Sequence, residues 1–472
     1  MSGLLLGASL AVAPASYAQA PAEMPAPMPA PAEGAPPAPA APTSPEVEQR
    51  LRELEETVRR QSELIKRLEQ TVEELRKPAP PSPPPAEPPK PARADGFTVP
   101  GREDGTRLRL RGLLHTDARI FPSEGGRTGS ESFLSRRIRT IFSGQVDRWA
   151  EFQIQPIFDE NRLSVLDAYV DVRRTPELQL RAGLFKTPFS LERLQSASDL
   201  LFIERSIAQN LAPNRDTGFM VHGDTLKGRF SYAAAVLNGA PDGGNVYGDP
   251  GRDKDFAGRI FARPFLDQKG SFLEGLGVGL AATYGHRDEP FAVTYRTDAR
   301  EPFFVYQPGT TYDGTVRRLA PQFYHYYRQL GLMGEAYLNR ETVGRNGVVR
   351  AFNNRGWFLQ GSYVLTGENA GFRSVVPRRP FDPSRGQWGA LEVALRYSDL
   401  RIDPDAFRLG FADPLTSARR ATSWTFGLNW YLTTALKLQV NYERTHFNGP
   451  ILFRTGPHDR EELILTRLQL SY

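Results

Sequence analysis

Arg107-Leu108-Arg109-Leu110-Arg111-Gly112-Leu113-Leu114 is the stretch that decides how most of this chain is read. Basic and apolar side chains alternate with a period of two, which places them on opposite faces of a β-strand. The pattern recurs along the chain. Leu166, Ala168, Val170 and Val172 alternate with Asp167, Tyr169, Asp171 and Arg173, and Leu178, Leu180, Ala182 and Leu184 with Gln179, Arg181, Gly183 and Phe185. Near the end, Ile464, Thr466, Leu468, Leu470 and Tyr472 share one face while Leu465, Arg467, Gln469 and Ser471 share the other. A soluble sheet with one wet face gives this alternation, and so does a transmembrane barrel that is apolar outside and polar inside. Length separates the two. The segments run about 9–13 residues, whereas soluble strands average ~5–6 and tilted membrane-crossing strands need ~9–11. A two-sheet sandwich also has no place for Arg on its dry inner face.

Sixteen such segments lie near residues 107–119, 133–146, 149–160, 163–173, 177–187, 216–224, 228–238, 254–265, 275–286, 316–327, 330–341, 355–366, 387–399, 421–432, 435–447 and 460–472. Connections after odd-numbered segments are mostly long (120–132, 188–215, 239–253, 287–315, 342–354, 400–420, 448–459), and those after even-numbered ones are mostly short. An even count with short turns at one end and long loops at the other predicts an all-β, antiparallel transmembrane barrel of about sixteen strands. Both ends of the barrel then lie on the short-turn, periplasmic side. One connection breaks the alternation: residues 367–386, on the short-turn side, are long and carry Arg373, Arg378, Arg379 and Arg385. Long ordered loops are usually functional. This one either folds up into the barrel mouth or lies free in the periplasm.

Composition narrows the alternatives. The 472 residues include 59 Lys+Arg, 54 Asp+Glu, 42 Gly, 40 Pro and no Cys. A mean hydropathy of −0.44, with no apolar run of ~20 residues, excludes a helical membrane protein. Without Cys there is no disulfide scaffold, thiolate nucleophile or thiolate-bound metal.

The front of the chain is organised differently. Residues 1–20 read as a signal peptide: an apolar run over Leu4–Ala13 leads to Ala18-Gln19-Ala20, an A-x-A cleavage pattern. No Lys or Arg precedes the run, so either the true start lies upstream or the signal is weak; a disordered Ala-rich terminus is the alternative. Residues 21–45 form a Pro/Ala-rich tether and 78–94 a Pro-rich linker. Between them, over 46–77, Leu51, Val58, Ile65 and Val72 occupy one heptad position and Val47, Leu54, Gln61, Leu68 and Leu75 the other. So narrow a stripe cannot stabilise a lone helix, which predicts a self-associating coiled coil, with a solvated single helix as the alternative. The heptad pattern favours a parallel dimer. The barrel domain occupies 95–472.

Several stretches in order along these strands resemble the phosphate-selective porin O and P family. They are Gly183-Leu184-Phe185-Lys186-Thr187-Pro188-Phe189-Ser190-Leu191-Glu192, Glu204-Arg205-Ser206, Arg215-Asp216-Thr217-Gly218, Gly356-Trp357-Phe358, Tyr363 to Glu368, Trp388 to Glu392, Arg396-Tyr397-Ser398 and Gly427 to Tyr431. The resemblance covers residues from about 100 to the end. It implies a trimeric sixteen-stranded outer-membrane barrel with a narrow anion-selective pore, loops folded into the lumen and no cofactor. The implied trimer overrides the dimer preference of the heptads, because barrel contacts involve far more surface.

The chemistry of the residues points the same way. Arg107, Arg109 and Arg111 share one strand face, and Arg137 and Arg139 share another, with Arg136 at its edge. A guanidinium facing lipid at mid-bilayer costs about 2–4 kcal/mol, so these faces should line water. Arg107, Arg109, Arg111, Arg137, Arg139, Arg181 and Lys186 are therefore the candidate anion pathway. The 188–215 loop resembles the family's constriction loop, and Arg193, Arg205 and Arg215, with Arg378 and Arg379, are its candidates. Guanidinium forks suit phosphate oxygens. A charge-balanced wall, with Asp167, Asp171, Glu151 and Glu335 opposing the arginines, remains the alternative. Residues 95–472 carry 49 basic and 42 acidic residues, a modest lean toward anions. The family's phosphate site also uses lysines, and this chain has only eight. The six His lack metal-ligand spacing and there is no G-x-S-x-G elbow, so no enzyme is expected. The expected partners are small anions such as phosphate, outer-membrane lipid, further copies of the chain and, through the coiled coil, the cell wall; nucleic acid is not among them. Two other readings stay open: a general or sugar-type porin, and a structural envelope tether.

Overall fold

The computed structural model describes residues 45–76, 96–101, 106–159, 162–248, 251, 253–290 and 293–472. The signal peptide, all but the last residue of the tether, and the Pro-rich linker lie outside the described residues. The chain divides into two compact units, 1–86 and 87–472.

In the first unit, helix α1 spans Pro45–Arg76, within one residue of the expected 46–77. Leu51, Leu54, Val58, Ile65 and Leu68 are each more than half exposed, so the apolar stripe lies open to solvent. Its polar faces are self-sufficient. Thr57, Ser62 and Thr71 donate their hydroxyls to carbonyls four residues back, and Glu56 pairs with Arg60 at 3.5 Å.

The second unit is a closed barrel of sixteen strands: β1 (Arg107–Ile120), β2 (Ser132–Gln145), β3 (Ala150–Asp159), β4 (Arg162–Thr175), β5 (Leu178–Lys186), β6 (Arg215–Thr225), β7 (Phe230–Leu237), β8 (Asp255–Ala262), β9 (Leu276–Arg287), β10 (Thr311–Tyr327), β11 (Leu330–Arg345), β12 (Val348–Val364), β13 (Ala390–Arg401), β14 (Arg420–Tyr431), β15 (Leu436–Phe453) and β16 (Gly456–Ser471). Each pairs antiparallel with its sequence neighbours. Closure comes from β16 on β1, between Ile464↔Ile120 and Ser471↔Leu113. Every expected segment is a strand.

Below Leu113 the edge of β1 has lost its β16 partner. A short leading strand, Phe97–Pro100, covers it by pairing with Arg107–Leu110. Gly96 enters this hairpin at φ +75°, and a Cβ there would collide with the Leu110 carbonyl. At the seam Gly112 and Tyr472 exchange backbone hydrogen bonds at 2.9 and 3.1 Å, and the Tyr472 ring meets Phe97 edge-on at 5.7 Å.

Two expected long loops are corrected. Residues 342–354 and 448–459 are continuations of β11–β12 and β15–β16, which turn at 346–347 and 454–455. Asn346 and Gly347 both have positive φ, 50° and 77°, as a tight hairpin requires. These extensions make one wall tall: β12 has 17 residues and β15 has 18, against 8 in β7 and in β8.

The outer face is apolar along most of its height, with Phe219, Ile260, Leu338, Trp357 and Phe426 among its exposed side chains. The inner face is divided. Around β1–β6 it is polar and charged. Along β10–β15 it carries Tyr312, Tyr337, Phe352, Phe358 and Leu400, all buried in one apolar cluster with residues of the loops. A polar lumen was expected; along β10–β15 it also holds an apolar core, interspersed with buried polar side chains such as Glu335, Asn339 and Arg396, because inward-folded loops supply the other side of that core. Loops 187–214, 238–254 and 288–310 all contribute to the lumen, the last through a small hairpin, Thr294–Arg296 with Pro302–Val305.

Candidate functional site

Loop 187–214 is built to lie across the barrel. Ser190 caps a single helical turn, Leu191–Leu194, by accepting from the Arg193 N–H at 3.2 Å. Glu335 on β11 accepts from the N–H groups of Leu191 and Glu192 at 3.0 and 3.2 Å and from the Ser190 hydroxyl at 3.0 Å. A carboxylate at a helix start is favourably placed. Phe189, Leu191, Ile207 and Leu211 then join the apolar core of the lumen. Asn339 donates to the Leu211 carbonyl at 2.7 Å, and Asn429 to that of Leu201 at 3.0 Å.

Across the lumen the loop is held by charge. Glu204 takes hydrogen bonds from Arg136 at 2.8 Å, Arg137 at 3.0 Å and Arg467 at 3.2 Å. Burial alone would raise the Glu204 carboxyl, but these three guanidinium groups outweigh it and hold it well below the ordinary range. Arg467 is also paired with Asp117 at 2.6 Å and Arg136 with Asp159 at 3.1 Å. His115 completes the clasp. Its Nδ1 accepts from Arg137 at 3.3 Å and its Nε2–H donates to Gln469 at 2.9 Å, which fixes a neutral tautomer. Two further networks close the long-loop end. Asp242 accepts from Arg318, Asn339 and Tyr295, and Arg396 donates to Asp298 and the Glu204 carbonyl, both at 2.9 Å.

A second group of cations is held differently. Lys186 donates to the carbonyls of Leu194 at 3.1 Å and Gln195 at 3.0 Å. Arg205 donates to the carbonyls of Glu192 and Gln195, each at 3.1 Å, and Arg193 to that of Gln209 at 3.0 Å. Lys437 reaches the carbonyls of Ser198 and Leu200 at 3.3 and 3.2 Å. For Arg139, the buried Nε has no partner among the described residues. Arg139, Arg205 and Arg215 lie within electrostatic range of Lys186. Burial, and after it Arg205, pulls the Arg193 guanidinium down to about 9. Burial likewise lowers Arg205, with Glu192 partly restoring it. Both stay charged at neutral pH, in surroundings that favour an arriving anion.

Of these side chains, Arg139, Lys186 and Lys437 border a cavity of about 620 Å³ on the short-turn side of the loop. Arg109, Arg111, Arg139, Lys186, Arg215, Arg373 and Lys437 line it, against Asp167 and Asp199. A smaller adjoining space of about 370 Å³ runs along β3–β8 past Arg181, Lys186 and Arg259. Among the described residues, no three His, Asp or Glu converge to hold a metal ion.

With this arrangement in view, comparison with known proteins assigns the chain. The family model for phosphate-selective porin O and P matches residues 108–470. The chain belongs to that family. It is 26% identical over 413 residues to Porin O of Pseudomonas aeruginosa, covering 80% of this chain and 91% of that protein. Its fold is similar to that of in-vitro folded OmpT, an outer-membrane protein of Vibrio cholerae, at TM-score 0.51 and 12% identity, covering 79% of this chain and 99% of that one. The loop L8 deletion mutant of the same protein aligns at TM-score 0.50 and 11% identity, covering 78% of this chain and all of that one. The molecule is an outer-membrane, anion-conducting channel.

The porin's candidate residues divide by partner. Arg109, Arg111, Arg139, Lys186 and Arg215 meet at the larger cavity, though Arg215 is bound in a fork by Asp167 at 3.0 and 3.3 Å and opens β6 rather than lying in the loop. Arg193 and Arg205 sit within the constriction loop. Arg137 belongs to the Glu204 clasp. Arg181 is paired with Asp171 at 2.6 Å and lies over the Tyr169 ring at 4.1 Å. Arg107 is exposed at the rim, beside the leading strand.

Arg378 and Arg379 are displaced from the constriction. Both are exposed, and it is Arg373 and Ser374 of the same connection that reach the cavity. That connection does fold into the mouth. Gln195 donates to the Phe372 carbonyl at 2.6 Å, and Ser374 donates to the Ser198 carbonyl at 2.8 Å and, from its N–H, to Asp199 at 3.1 Å.

Sequence reasoning missed Arg136, Lys437 and the clasping role of Arg467. The β1–β2 register shifts between His115↔Arg137 and Thr116↔Ser135, so Arg136 is a bulge residue and turns inward. Lys437 and Arg467 stand at polar positions of regular alternation, in Leu436-Lys437-Leu438-Gln439 and Leu465-Thr466-Arg467-Leu468. That signal was readable.

Proposed function

We propose that this porin passes small anions, phosphate foremost, along the wall of β1–β6, between the carbonyl-held cations of the constriction loop and the basic cavity below it. The observation that carries this reading is the set Lys186, Arg193 and Arg205, whose hydrogen bonds go to backbone carbonyls. Carbonyl partners fix a cation in place without cancelling its charge. An ammonium has three N–H donors, so Lys186 keeps one for a passing anion. Arg205 uses two of its five. A dehydrating anion therefore meets oriented donors that need no reorganisation, and charge-assisted bonds replace its lost water. Several such cations in sequence allow transfer from one to the next, so that no single site traps the ion.

The family's trimeric assembly and periplasmic short-turn side carry over as part of this proposal. The barrel works as a homotrimer, and α1 supplies a further self-association element in the periplasm, where its open apolar stripe packs against the same helix of other copies. Reversal potentials in planar bilayers under asymmetric KCl test the channel reading: anion preference, with chloride current inhibited by added phosphate, is expected. Cation preference refutes it, and saturation by saccharide instead of phosphate points to a sugar-type pore. Mass photometry of the detergent-solubilised full chain tests the trimer.

A further inference from the structure

The outer wall carries a basic shelf that the pore does not use. Arg317, Arg340, Arg355, Arg401, Arg419 and Arg420 line a concavity of about 730 Å³ across β10–β14. Arg317, Arg340, Arg355 and Arg419 are exposed. Arg317, Arg340 and Arg355 share the outward face with the exposed Leu319, Leu338 and Trp357, two residues along the same strands, so they face away from the lumen.

The strand register stacks these charges against one another. Arg317 is directly opposite Arg340, and Arg355 opposite Arg401, which is opposite Arg420. Like charges in directly opposed positions are destabilising. One carboxylate relieves part of this: Asp399 binds Arg401 at 2.7 Å and Arg420 at 2.5 Å. Among the described residues no carboxylate pairs with Arg317, Arg340, Arg355 or Arg419. Arg317 lies 5.4 Å from the Tyr284 ring centre.

Height identifies the occupant. Immediately on the short-turn side of the shelf is an aromatic row, with Trp357–Tyr397 at 5.2 Å and Tyr397–Trp424 at 4.8 Å between ring centres. Such rows mark the membrane–water boundary of barrels. Below it the outward face of β12 continues through Leu359 to Tyr363, both exposed. Eight residues separate Arg355 from Tyr363, roughly 26 Å of strand at ~3.3 Å per residue and about 20 Å of height at the ~40° tilt of barrel strands, which is most of the ~25 Å apolar band. The shelf thus sits at headgroup level on the long-loop side, over a wall suited to acyl chains.

We infer that this shelf binds the phosphate groups of an acylated, multiply phosphorylated glycolipid of the outer leaflet, whose chains lie down the wall of β10–β14. Guanidinium pairs match phosphate oxygens by geometry as well as charge. The placement in the outer leaflet rests on the orientation proposed above; the binding chemistry does not.

The test uses the full-length porin, delipidated in detergent, and native mass spectrometry with three probes: bisphosphorylated lipid A, the same lipid dephosphorylated, and phosphatidylethanolamine. Tight retention of the first alone is expected, undisturbed by millimolar inorganic phosphate. The double variant Arg340→Gln/Arg355→Gln should lose at least tenfold in retention while keeping the wild-type reversal potential, since these side chains face away from the pore. Heat-modifiable gel mobility confirms its folding, and Arg317→Gln alone serves if the double variant does not fold. Equal retention by the folded variant, or equal binding of the dephosphorylated lipid, overturns the inference. So does a variant that dissociates into monomers with lipid retention intact, which would make the shelf a subunit interface.

Discussion

Glu204 and Lys186 belong to the same constriction, yet the cations around them serve opposite ends. Around Glu204, three guanidinium groups converge on one carboxylate, and two of them reach a second, Asp117 or Asp159. Around Lys186, ammonium and guanidinium groups end on carbonyls. The first arrangement consumes charge to fix a loop. The second fixes the charge and leaves it available. Inward-facing arginine is therefore not one functional category in this barrel; the partner decides, and the carbonyl-held Lys186, Arg193 and Arg205 are the ones placed to handle an ion.

The sharpest way to break this contrast is Glu204→Gln. Removing one partner of a buried ion network typically costs about 3–5 kcal/mol, so the variant should unfold at distinctly lower temperature by heat-modifiable gel mobility and conduct noisily as the loop loosens. Unchanged stability would remove Glu204 as the clasp. Next in size is Lys186→Glu. One unit charge at ~6 Å in an effective dielectric of about 20 is worth ~3 kcal/mol, so the anion-to-cation permeability ratio should fall about tenfold or more, read as a shift in reversal potential. If the ratio holds, Lys186 is not on the pathway.

A pH titration separates the two groups more gently. The Glu204 carboxyl is depressed in the folded state, so its contribution is complete above the ordinary glutamate value of 4.5 and drains away as pH falls toward the folded value. Tryptophan fluorescence should show an unfolding temperature steady from pH 7 to about that point and declining below it, with a shallower decline in Glu204→Gln. A decline that begins near neutrality would contradict the assignment. Arg181→Gln should change selectivity less than Lys186→Glu, because Asp171 already offsets that charge. The smallest effect belongs to Arg378→Gln/Arg379→Gln: at exposed sites away from the cavity, stability should stay within ±0.5 kcal/mol and the reversal potential should not move.

The walls were readable because burial on one face and lipid or water on the other impose a two-residue period. Where that asymmetry ends, so does the signal. Residues 342–354 and 448–459 rise past the aromatic row and continue pairing without a membrane to enforce alternation, so they looked like loops; Asn346-Gly347 was the local cue to a hairpin. Phe358 was placed correctly in a strand and Phe352 was assigned to the expected 342–354 loop, but that both face a packed lumen depends on Leu191, Ile207 and Leu211 arriving from a distant loop. Such docking has no periodicity to detect. Arg136 escaped because a bulge resets which residue faces inward, and Arg378 and Arg379 misled because charge along an irregular loop says nothing about which side chain its turns will present.

The leading strand has a mechanical consequence. Any pull on the chain before Gly96 enters the barrel domain at Phe97 and must peel four residue pairs, Phe97↔Leu110 to Pro100↔Arg107, before it loads the wall itself. Those pairs give way one at a time, from Phe97 to Pro100, before the pull reaches β1 along the chain. The short ladder thus acts as a fuse between whatever the N-terminal arm is fastened to and the ring that keeps the channel shut to leakage.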